Sequence, residues 1–155
     1  MPFINPSGLI FMAVIMIPNI IFAVKHREGF ENLWKNKAVE ALEQTGRFGC
    51  FAFMIVNVPK TCFGFWSDEA FMVYLLVNAA LVLAYCLVWT VLFNKPSVMR
   101  AVLLSVLPSA VFLFSAVLSR SVLLLVSALI FAPCHILLSV KNAKCNSSCS
   151  RQENQ

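Results

Sequence analysis

From Phe71 to Phe93 the chain runs for 23 residues without a charged side chain. A helix of that length, rising about 1.5 Å per residue, covers the ~30 Å hydrocarbon core of a bilayer. Three further apolar runs stand at Gly8–Val24, Val98–Leu118, with Arg100 near its start, and Val122–Val140. The chain has 155 residues, 60% of them hydrophobic and 12% charged, with mean hydropathy +0.82. A soluble domain carries about 25% charged residues, and a core this small cannot hide so much apolar surface. The sequence therefore reads as all-α: a polytopic integral membrane helical bundle forming a single domain over residues 1–140. The polar stretch 141–155 is expected to be a disordered cytoplasmic tail.

A further span is expected near 38–58, with an amphipathic segment before it, making about five transmembrane helices. Asn36, Glu40, Glu43, Gln44 and Arg47 share a helical stripe about 100° wide, while Trp34, Ala38, Ala41, Leu42, Thr45 and Phe48 fall on the other side. Glu43 and Arg47 stand at i,i+4 in the favourable order for an ion pair. Either this helix lies in the interface with its polar face in water, or the stripe enters the membrane and faces other helices. From Phe48 to the breaker Pro59 there are only 11 residues, Phe48 included, and a span needs roughly 20. Length therefore favours partial entry.

The remaining spans are expected near 8–24, interrupted at Pro18-Asn19, and near 71–93, 98–118 and 122–140. Lys25–Lys37, containing Phe30 and Trp34, reads as the main polar loop, and Asn94–Ser97 as a tight turn. No basic residue precedes the first span, which reads as an uncleaved helix rather than a signal peptide. With the N-terminus outside, ten basic residues fall on cytoplasmic segments: Lys25, Arg27, Lys35, Lys37, Arg47, Lys95, Arg100, Lys141, Lys144 and Arg151. Only Lys60 and Arg120 fall outside. The asymmetry holds at every loop, as the positive-inside rule requires. The formal net charge of +5 thus describes topology, and no nucleic-acid partner is expected.

The candidate intramembrane polar site is Glu40, Glu43, Arg47 and His135. Ionisable groups inside spans are costly and mark ion or proton sites. Against this, charged stripes on amphipathic helices are common, so a solvated face is the first reading of the Glu40 group. For His135 the first reading is a neutral imidazole bonded to a neighbouring helix or to the carbonyl freed by Pro133. Asn57 and Asn78 are expected as helix–helix hydrogen-bond partners. Cys50, Cys86 and Cys134 fall in spans as small apolar residues, and Cys62 has no evident disulfide partner. Cys145 and Cys149 flank Asn-Ser-Ser at the inner face, where cysteines can be acylated. Met12 and Met16 share a face, but no further methionine joins them as copper ligands. No metal site, cofactor or catalytic residue is read from the sequence. It lacks a phosphate-cradling loop, His-Glu-x-x-His and a nucleophile elbow. Gly46-Arg47-Phe48-Gly49 has a spacing suited to close helix approach.

In general character the chain resembles the many short hydrophobic proteins of bacterial membranes, which implies a plasma-membrane location. The leading functional expectation is an accessory, assembly or regulatory component acting through partners: other membrane proteins or copies of itself. The alternative is an oligomeric small-solute or ion transporter or channel protomer, with a polar site at Glu43, Arg47 and His135. An intramembrane enzyme using Glu40, Glu43 and His135 is a further alternative.

Overall fold

The computed structural model describes residues 3–25, 34, 36–92 and 98–152. Among them stand five helices and no strand: α1 (Pro6–Lys25), α2 (Lys37–Ile55), α3 (Asp68–Val91), α4 (Val98–Leu118) and α5 (Val122–Gln152). The chain is all-α, as its periodicity predicts. The expected polar loop, including Arg27, Phe30 and Lys35, lies outside the described residues except for Lys25, Trp34, Asn36 and Lys37. The expected turn at Asn94–Ser97 also lies outside them.

Four helices are long and apolar enough to cross a membrane: α1, α3, α4 and the Val122–Cys145 part of α5. This composition suits an integral membrane protein. The helix α2 is not among them, because Lys37, Glu40, Glu43 and Arg47 interrupt its apolar residues. It nevertheless runs the length of the bundle. Its last residues meet the start of α1, where Asn5 N–H donates to Ile55 O at 2.7 Å and Asn57 N–H to Phe3 O at 2.9 Å. Just before its first residue, Trp34 N–H donates to Asn142 Oδ1 of α5 at 3.0 Å.

Besides α3, which spans Asp68–Val91 rather than 71–93, three boundaries differ from those read in the sequence. First, α1 begins at Pro6, because Asn5 caps it by accepting from Gly8 N–H at 3.2 Å and proline suits the first helical position. It then continues through Pro18 without a break. Second, α2 stops at Ile55 rather than near residue 58. The backbone after it pairs with residues 3–5, and Pro59 disfavours a helical Val58. Third, residues 141–152, expected to be disordered, continue α5. No Pro or Gly stands between Val140 and Gln152 to end that helix.

The helices α1, α3 and α5 start at one end of the bundle and α2 and α4 return to it. That amino end is tied together by backbone. Phe63 N–H donates to Arg120 O at 3.3 Å, and Val122 N–H donates to Thr61 O at 2.9 Å. Lys60 and Arg120 adopt left-handed φ values of 70° and 52° there. The opposite, basic end holds Lys25, Lys37, Arg100 and Lys141.

Each helix buries a single stripe. On α3 it is Ala70, Tyr74, Asn78, Val82, Tyr85 and Trp89. On α5 it includes Leu124, Ala128, Phe131 and Leu138, spaced by four, three and seven. The opposite faces stay open: Leu76 is 66% exposed, Leu83 64% and Val117 63%. Apolar surface this extensive suits acyl chains rather than water.

Candidate functional site: the charged seam between α2 and α5

The close approach of α2 to α5 begins with two glycines. A Cβ on Gly46 would lie 2.8 Å from the Phe131 backbone nitrogen, and one on Gly49 would collide with the Ser127 hydroxyl. The absence of side chains at both positions lets the backbones approach. The buried face of α2 is Glu43, Gly46, Cys50 and Met54, spaced three, four and four. This face lies at the edge of the polar stripe rather than on its apolar side. Leu42 and Phe48, on the apolar side, are 50% and 67% exposed. Glycine, not hydrophobicity, selects the face that packs.

That rotation carries Glu43 inward. It is only 3% exposed, and its Oε1 collects three contacts. Arg47 Nε–H donates to it at 3.0 Å, and Arg47 Nη2 reaches the same oxygen. From α5, His135 Nδ1 approaches it at 2.9 Å. The arginine lies one turn further along α2. Side chains lean toward the helix N-terminus, so its guanidinium folds back onto Glu43. The imidazole stacks on Phe131, one turn away on α5, with ring centroids 4.6 Å apart and planes inclined 19°. Glu43 and Cys50 are wholly inside, whereas Arg47 and His135 keep side-chain exposures of 35% and 21%. A carboxylate so enclosed is tolerable only with charged and hydrogen-bonded partners, and here it has both.

Three of the four site residues therefore meet. Glu40 does not. It is half-buried one turn nearer the basic end and makes no side-chain hydrogen bond or ion pair among the described residues. His135 meets Glu43 rather than a carbonyl freed by Pro133. Asn78 does link two helices: wholly buried on α3, it accepts from the Ser115 hydroxyl of α4 at 3.1 Å and donates to Tyr74 O at 2.9 Å. Asn57 is not a helix–helix contact, because α2 ends before it. Its Oδ1 accepts weakly from Cys62 Sγ at 3.6 Å.

Other polar groups escaped the sequence reading. Tyr85 O–H of α3 donates to Asn19 Oδ1 of α1 at 2.8 Å. The Arg100 guanidinium lies 4.9 Å from the Phe22 ring centre and 5.2 Å from that of Trp89. At the other end, Asn5 Nδ2–H donates to the Tyr74 hydroxyl at 3.3 Å. The signal available for Tyr74 and Tyr85 was their spacing along the face of α3 that carries Asn78. Among the described residues no three His, Cys, Asp or Glu side chains come together as metal ligands.

No protein-family model matches the chain, and no curated protein or solved structure matches it.

Proposed function

We propose that the protein is a small multi-pass component of a bacterial plasma membrane that acts through partner proteins, in an accessory, assembly or regulatory role. In this reading the amino end of the bundle faces outward and the basic end lies in the cytoplasm. The observation that carries it is the continuation of α5 past its apolar part. From Lys141 to Gln152 the helix extends about 18 Å at 1.5 Å per residue. It carries Lys141, Lys144 and Arg151 and no acidic residue over that stretch. A polar helix rooted in the bundle is a rigid handle for another protein. Its root is held by the Trp34–Asn142 bond and by Lys141 packing over the Trp34 ring, 6.0 Å from its centre. The test is a photocrosslinking residue at Lys144 in living cells, with one at the outward Leu76 as reference. A discrete protein adduct from position 144 and not from 76 is expected. Lipid adducts alone from both positions would remove this reading.

A second reading is favoured by the convergence of Glu43, Arg47 and His135: a transporter or channel protomer. An enclosed carboxylate bonded to a guanidinium and an imidazole is an arrangement used to bind or pass ions in membranes. Uptake of small solutes and ions by vesicles holding the purified protein tests it. The enzyme reading is weaker, because Glu40 stands apart from the other two residues it needs.

A further inference from the structure

Among the described residues, two other than glycine take left-handed backbone: Lys60 (φ 70°) and Arg120 (φ 52°). They are also the two described basic residues at the amino end of the bundle. Lys60 is the third residue of a turn in which Thr61 N–H donates to Val58 O at 3.2 Å. With Pro59 second, glycine is the residue such a turn favours at the third place. Arg120 stands just past the end of α4. Its N–H donates to Val117 O at 3.2 Å, and Ser121 N–H donates to Ala116 O at 3.0 Å. That pair of bonds closes a helix end whose left-handed residue is usually glycine. A Cβ strains the backbone at both places, and an occupied strained position points to a use for its side chain.

Neither side chain forms an ion pair among the described residues, although Asp68 and Glu69 stand exposed at the same end. The dipole of α4 favours a cation at Arg120. Lys60, however, lies five residues beyond the end of α2, outside the last turn where such a dipole acts. Both residues are exposed. The backbone ties between 61–63 and 120–122 hold their two turns side by side. Arg120 emerges between the buried Ser119 and Ser121, and its guanidinium lies 5.5 Å from the centre of the Phe63 ring. The segment is anchored by Phe65, whose ring centre is 5.0 Å from those of Phe71 and Tyr74. On its open side Phe63 and Trp66 are 62% and 76% exposed.

Two cations on fixed turns and two open aromatic rings thus sit where the apolar helices leave the hydrocarbon. Lipid phosphates lie at that depth, and aromatic rings settle at the same level. We infer that Lys60 and Arg120 bind the phosphate groups of phospholipids in the leaflet that meets the amino end, and favour lipids of net negative charge. A zwitterionic headgroup carries its own cation, which the two side chains repel; an anionic one does not. Phe63 backs the Arg120 guanidinium, and Trp66 inserts among the headgroups. The inference holds whichever side of the membrane the amino end faces.

The test uses the full chain purified in detergent and mixed with equal amounts of phosphatidylglycerol and phosphatidylcholine. Retained lipids are counted by mass spectrometry of the intact complexes. Wild-type protein is expected to retain phosphatidylglycerol in excess. The double variant Lys60→Gly/Arg120→Gly is expected to retain several-fold less of it and to melt no lower than wild type, because glycine relieves the strain. Lys60→Asn/Arg120→Asn, which tolerates left-handed backbone without the charges, is expected to show the same loss. Equal retention of both lipids by wild type overturns the assignment. An excess that neither double variant reduces puts the binding elsewhere and overturns the site. Lower melting temperatures in both variants would show that the two side chains serve the turns themselves, which removes the case for a lipid. Inorganic phosphate that raises the melting temperature as much as phosphatidylglycerol does would make this a site for free anions instead.

Discussion

A single carboxylate oxygen joins two helices in this protein. Glu43 is enclosed, so removing either partner leaves charge without compensation in an apolar setting. Arg47 is partly open, which lets water replace some of what it supplies. We expect Arg47→Ala to lower stability by roughly 1–2 kcal/mol, and Lys37→Ala, at the exposed start of α2, by less than about 0.5 kcal/mol. Thermal unfolding in detergent micelles compares the two, and equal shifts would show that the ion pair contributes nothing. At Asn78 the stakes are smaller, since interhelical hydrogen bonds in membranes average about 0.6 kcal/mol. Ser115→Ala should cost about that much, and a loss several times larger would show that Asn78 finds no substitute donor. The i,i+4 spacing of Glu43 and Arg47 was legible in the sequence. Their link to His135 was not, because it depends on which face of α2 turns inward.

At the level of elements, the seam between α2 and α5 decides that rotation. The amphipathic pattern of α2 separates polar from apolar side chains, but a bilayer does not reward burying the apolar ones. Phe48 and Leu42 therefore face outward, and Gly46 and Gly49 turn toward α5. The Gly-x-x-Gly spacing was visible in the sequence as a close-approach signal, yet nothing in it named the partner helix. Gly46→Leu should force the backbones apart at Phe131 and destabilise the bundle by about 1–3 kcal/mol. Ala41→Leu, on the exposed side of the same helix, should change little. Comparable melting temperatures for the two variants would refute the seam. The helical continuation of residues 141–152 was missed for a different reason. Polar composition was read as disorder, although the absence of Pro and Gly permits a helix already nucleated by α5 to propagate.

Considered whole, the molecule is four apolar helices and one charged helix with alternating directions. The four apolar runs were legible from length and composition alone, as was the gathering of Lys25, Lys37, Arg100 and Lys141 at one end among the described residues. The charged helix α2 was harder to place, because its four charges leave both an interfacial and an interior position open to a reading of the sequence. The proposed orientation makes a direct prediction. In a cysteine-free background, a cysteine at Lys60 should react with an impermeant thiol reagent from outside intact cells. One at Lys144 should react only after the membrane is opened. Labelling of both from the same side would overturn the alternation.

The contact between Glu43 and His135 spans 92 residues of sequence. A ribosome adding about 5–20 residues per second needs on the order of 5–20 s to cover that interval. For all that time Glu43 is without the His135 imidazole that meets its carboxylate in the finished fold. The buried carboxylate therefore meets its imidazole only once α5 has been made, although α2 is among the first helices to be made. Chains stopped after Leu118 should be degraded faster than full-length ones in a pulse-chase experiment, which makes the final helix a timer for the survival of the whole.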